Sequence, residues 1–150
     1  MDSKVLIYAG GVYHVCWAIF DSFWPLILDW EKRLSSLDDL HRALPYIISR
    51  LLVVLYLMLA YISFIHTSDL IETRLGRTML LFVSIYWTIR FAMQIQFMSF
   101  SKIKKFDIRV SDVRLPWPVN RLSNQAFTGL LFFIMAAGVA LYLTPVLLTQ

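Results

Sequence analysis

Charge is scarce in this chain, and so is sulfur. Asp, Glu, Lys and Arg make up 16% of the 150 residues, against roughly 25% in soluble domains. With 59% hydrophobic residues and a mean hydropathy of +0.65, the balance is that of a membrane protein. The single cysteine, Cys16, excludes an internal disulfide framework, a CxxC redox pair and a cysteine-held zinc or iron–sulfur site. HExxH, GxSxG and a phosphate-cradling glycine loop are missing too, so the enzyme classes built on them are not expected. A cleaved secretory leader is not expected either. "MDSK" carries no net positive charge and no small-x-small site follows the first apolar run, which reads as a retained helix. The two halves share no motif, which argues against an inverted-repeat transporter.

What the chain does have is four long apolar runs, at about residues 5–28, 44–65, 78–99 and 124–148. Each is long enough to cross a hydrocarbon core about 30 Å thick at about 1.5 Å per residue. None alternates with period two, so the expected fold is all-α, an integral membrane four-helix bundle forming one transmembrane domain. Between the first two runs, Ser35 and Ser36 precede "LDDLHRALPYI", where a serine cap, acidic Asp38 and Asp39 and a Leu37, Leu40, Leu44 face predict a short interfacial helix. Pro45 is then near a bend or a first turn. Lys32, Arg33, Arg42 and Arg50 gather around the first loop, and Lys102, Lys104, Lys105, Arg109, Arg114 and Arg121 in or beside the basic loop at about 100–123. The other side holds Lys4, Arg74 and Arg77, so both termini are expected outside the cytoplasm. Lys102, Lys104 and Lys105 could rest on anionic lipid headgroups, each contributing about 1 kcal/mol.

Polar residues inside the spans are the candidates for a site. His14 and Asp21 lie seven apart and share a stripe of the first span with Gly10 and Trp17; the third span offers Val83, Trp87, Arg90 and Gln94. Counting residues from the outer end puts His14 level with Tyr86 and Trp87, and Asp21 within about a turn of Arg90 and Gln94. A charge at a helix centre costs about 2.5–3.5 kcal/mol on insertion scales, which favours pairing over exposure to lipid. The expectation is a buried polar cluster of Asp21, Arg90 and Gln94, with His14 farther out and Arg50 at the inner rim or snorkelling to the headgroups. Asp21 is expected to meet Arg90 or Arg50. In the fourth span Gly129, Ala136, Ala137, Gly138 and Ala140, with Ala136 and Ala140 in small-xxx-small spacing, predict close helix packing or a dimer contact. Gly10 and Gly11 read as close packing or a kink, and Gly76 as the turn that feeds the third span.

"YHVCWAIFDSFWPLILDW", "HRALPYI" and "IETRLGRTMLLFVSIYWTIRFAMQIQF" resemble a family of small, uncharacterised bacterial integral membrane proteins of four helices. The resemblance spans about residues 8–98 and rests on His14, Trp24, Trp30, Arg42, Gly76, Trp87, Arg90 and Gln94. It implies a multi-pass protein of the bacterial plasma (inner) membrane and carries no activity over. That family often has a histidine at the place of Asp21, so this chain departs there, which argues against a two-histidine ligand set.

Three functions follow as expectations. The first is a non-enzymatic structural, interaction or accessory protein, without cofactor, metal or nucleic acid, whose partners are the bilayer and a second copy or a membrane protein. The alternative is a binder or transporter of a proton, an anion or a small amphiphile, using His14 and Asp21 for protons and Arg90 for an anionic group. The third is a haem or quinone protein, disfavoured because His14, His41 and His66 do not lie at one depth for two axial imidazoles.

Overall fold

From Val5 to Phe20 the chain carries no Asp, Glu, Lys or Arg, and it runs through lipid as α1 (Ser3–Ile27). The computed structural model describes residues 3–97 and 124–148; Lys102, Lys104 and Lys105 lie outside the described residues. The other elements are α2 (Trp30–Arg33), α3 (Asp39–Ile65), α4 (Thr67–Glu72), α5 (Arg74–Phe97) and α6 (Asn124–Leu148). Four of them, α1, α3, α5 and α6, are long and apolar enough to cross a membrane. The protein is an all-α, multi-pass four-helix bundle with the short helix α2 between its first two spans. Its exposed side chains include Leu51, Phe82 and Phe133, the last 76% exposed, as a surface solvated by lipid requires.

The first loop turns more tightly than its sequence suggests. Asp29 takes a left-handed conformation (φ 48°) between α1 and α2, a geometry that Asp tolerates better than most residues. The cap of α3 is Asp38, not Ser35 or Ser36. Its carboxylate accepts the His41 backbone N–H at 2.9 Å and lies 2.8 Å from His41 Nδ1. Those two bonds hold the Asp38 carboxyl below the usual carboxylate range. The helix it caps runs on unbroken through Pro45, so the interfacial segment and the second span are one helix. A proline removes a single backbone bond, and a long packed helix can absorb that loss.

At the opposite end, Thr73 caps α5 by accepting the Gly76 N–H at 2.9 Å, while its hydroxyl donates to the Asp69 carbonyl. A Cβ on Gly76 would collide with the Asp69 carbonyl oxygen. This is the close approach that lets α4 lie against α5.

Glycine sets the contact between the first and last helices. A Cβ on Gly10 would lie 2.5 Å from the Tyr142 hydroxyl, and one on Gly138 would lie 2.5 Å from the Tyr13 hydroxyl. Each helix thus gives up a side chain where the other inserts a tyrosine. Tyr13 then donates to the Ile134 carbonyl of α6 at 3.0 Å, and Gly11 receives Phe64 of α3. Of the expected packing residues Gly138 makes this contact, whereas the space beside Gly129 is open and Ala136 and Ala140 are exposed. Gly138 faces α1 while the alanines point outward, because a stripe two residues away on a helix lies about 200° round it. The bundle closes as α3 on α1, α1 on α6 and α6 on α5, and α3 meets α5 through the Tyr56 and Tyr86 hydroxyls.

Candidate functional site

Half-way along α1, His14 is wholly buried (0% exposed) and bonded through both ring nitrogens. Trp87 Nε1 of α5 lies 3.1 Å from His14 Nε2, and Tyr142 Oη of α6 lies 2.8 Å from Nδ1. An indole N–H can only donate, so Nε2 is the acceptor and the proton of the neutral ring sits on Nδ1. That proton is shared between Tyr142 Oη and the Gly10 carbonyl of its own helix, which leaves the Tyr142 hydroxyl to donate to Ser63 Oγ of α3 at 3.0 Å. One directed chain therefore runs from Trp87 through His14 and Tyr142 to Ser63 and touches all four spans. An imidazolium here would turn an N–H against the Trp87 N–H. The arrangement suits a neutral structural histidine and leaves no lone pair for a metal or haem iron. Among the described residues, no three of His, Cys, Asp and Glu come together as a metal-holding group.

Below this node lies an aromatic layer. Tyr56 stacks on Trp87 with ring centroids 5.9 Å apart, Trp17 lies 5.6 Å from Trp87, and the Tyr56 and Tyr86 hydroxyls meet at 3.1 Å across the α3–α5 seam. Trp17 Nε1 lies toward the Tyr13 hydroxyl but outside hydrogen-bond geometry. The Arg90 guanidinium sits 5.3 Å from the centre of a Trp17 ring, a cation–π contact.

On the far side of the layer a half-open cleft of about 200 Å³ extends toward the C-terminal end of α1. Asp21, Ser49, Arg90 and Gln94 are its polar lining, set among Trp17, Phe20, Trp24, Trp30 and other apolar walls. Proline builds part of it. Pro25 has no N–H for the Asp21 carbonyl four residues back, and the Ser49 hydroxyl of α3 donates to that carbonyl at 3.2 Å. The Asp21 side chain is 6% exposed. It forms no ion pair within 4.0 Å: among the described residues the pairs are His41–Asp38 and His66–Asp69, both on the surface. Arg90 and Asp21 act on each other's charge across the cleft, and Arg90 Nε is buried without a hydrogen-bond partner among the described residues.

The structure thus divides the residues expected to form one cluster. Asp21, Arg90 and Gln94 line one cavity. His14 belongs to the separate node, and Arg50 is exposed, outside the cleft lining. Its long side chain lies on the bundle surface, where the cationic head can reach the headgroups. The expected Asp21 pairing with Arg90 or Arg50 is replaced by separation across a cavity. Sequence reasoning missed Ser49 and Ser63, and it did not single out Tyr142 or tell Gly138 from the other small residues of the fourth span. The available signal was Pro25, which marks a carbonyl in need of a donor, and Gly10, which marks an insertion point for a large side chain. No family model, no curated protein and no solved structure matches this chain, so the resemblance to small bacterial four-helix proteins has no support from these comparisons.

Proposed function

We propose that this is a non-catalytic, membrane-embedded binding protein that takes a small amphiphilic molecule into the cleft beside Asp21 and Arg90. The observation that carries this is the separation of those two charges. Residues serving only to fasten helices would close on each other, because a buried charge left without a partner is costly. Here a carboxylate and a guanidinium face the same cavity beyond ion-pair distance, and a buried Arg90 N–H has no acceptor among the described residues. Leaving such a donor unsatisfied costs about 1–3 kcal/mol, a penalty that an occupant with acceptor oxygens removes. The His14 node is the scaffold of this reading: it holds the spans in register while the cleft stays open. The Lys and Arg asymmetry supports an orientation with both termini outside, in which the cleft opens in the cytoplasmic leaflet.

The test is mass spectrometry of the protein released intact from native-lipid nanodiscs. Wild type is expected to retain an amphiphile. A Leu52→Phe, Ser49→Leu variant, which fills the cleft, is expected to lose it while keeping its helix content and elution volume. Equal retention by the filled, folded variant sinks the proposal.

A further inference from the structure

The cleft carries both signs of charge, and that constrains its occupant. A purely anionic head would meet Asp21 at close range, a purely cationic one would meet Arg90, and an uncharged one would leave both ions unpaired in a site of low dielectric. A head with an anion at one end and a cation at the other satisfies both. The walls agree, because Trp17, Phe20, Trp24 and Trp30 are the side chains that attract an alkylammonium group. The size agrees as well. A cavity of about 200 Å³ corresponds to roughly seven waters at about 30 Å³ each, room for a phosphate and a two-carbon amine.

The way in points to the bilayer as the source. Ile48, which lines the cleft, is 55% exposed on the lipid-facing side of α3. Trp30 and Tyr46 pack edge to face, 5.3 Å apart, near that end, where interfacial aromatics belong. Asp21 lies six residues before the end of α1 at Ile27, about 9 Å along the axis. A headgroup entering from the interface reaches it by dipping less than two helical turns.

We infer, on the footing of the binding role proposed above, that the occupant is the head of an aminophospholipid of the phosphatidylethanolamine class. Its phosphate oxygens accept from Arg90, its ammonium donates to Asp21 within the aromatic wall, and its acyl chains leave past Ile48. The same phosphoethanolamine chemistry exists in a soluble phosphodiester, and the open side toward lipid favours the lipid.

The experiment places wild-type protein in nanodiscs of equal parts phosphatidylethanolamine, phosphatidylcholine and phosphatidylglycerol, then measures which lipid stays bound after release. The ethanolamine lipid is expected to exceed each of the others about tenfold, since a quaternary ammonium cannot donate to Asp21 and glycerol carries no charge. Asp21→Asn is expected to erase that preference, and Arg90→Gln to lower retention of all three. Retention of the three lipids in equal amounts by wild type overturns the headgroup assignment while leaving amphiphile binding intact. Retention of none by folded wild type overturns both. Displacement by millimolar glycerophosphoethanolamine as complete as by the lipid overturns the bilayer as source. If either variant fails to elute as a folded species, the wild-type lipid panel decides alone.

Discussion

About 10 Å separates His14 from Asp21 along α1, yet the two polar sites are built on opposite plans. Around His14, donors and acceptors from four helices close on one another at 2.8–3.1 Å. Around Asp21, opposite charges stand apart over a cavity, and a guanidinium N–H has no partner among the described residues. A polar group inside a membrane protein is held either by completing its bonds or by keeping them incomplete for something else. The first kind shows up in stability. The second shows up in what the protein retains.

The largest effect should come from Gly10→Leu, which drives a side chain into Tyr142. Overpacking costs about 1–3 kcal/mol, and displacing Tyr142 from His14 and Ser63 adds about 1 kcal/mol for each bond lost. The midpoint of unfolding in a mixed-micelle SDS titration measures it. His14→Leu comes next, because it strands the buried Trp87 N–H at about 1–3 kcal/mol. Tyr142→Phe should cost less, about 0.6 and at most about 1.7 kcal/mol, as interhelical hydrogen bonds in membranes do. Arg90→Gln and Asp21→Asn should each move the same midpoint by less than about 1 kcal/mol, since the one removes a half-buried and the other a buried charge that no direct ion pair stabilises. Should Arg90→Gln destabilise the bundle as much as His14→Leu, the contrast between the two sites collapses.

The smallest effect belongs to the exposed cap of α3. The Asp38 carboxyl titrates below its ordinary range in the folded chain, so its contribution is complete above the unfolded value near pH 4 and is lost as pH falls through the folded value. Protection of the His41 amide, taken relative to the intrinsic exchange rate at each pH, should therefore fall on acidification below about pH 4. In Asp38→Ala that protection should be low at every pH.

The spans and the level of His14 with Trp87 were readable in the sequence because hydrophobic length and residue count set them. The inward face of α1 was readable for the same reason: Gly10, His14, Trp17 and Asp21 fall on one stripe, and all four are buried. Whether Asp21 closes on Arg90 or stands off was not readable. That depends on a few ångströms of separation between α1 and α5, set by side chains such as Trp17 and Trp87 that pack between them. The packing face of α6 was misplaced for a related reason. Small residues occur on both sides of that helix, and only the tyrosine that inserts at Gly138 decides which side is inward. Asp38 displaced the serines as cap because it alone lies directly before the first helical turn, with His41 in reach.

The exchange of Tyr13 and Tyr142 into the glycines of the opposite helix also bears on how the chain is made. The two partners stand at opposite ends of the sequence, so when α1 enters the bilayer the residues that complete His14, Tyr13 and Gly10 have not yet been synthesised. Until α6 arrives, the first helix waits in lipid with an imidazole that only Trp87 of α5 can meet and an empty notch. Closure of the bundle is therefore a late event, and a ribosome stalled before Gly138 would leave the most hydrogen-bond-hungry face of the protein open to quality control.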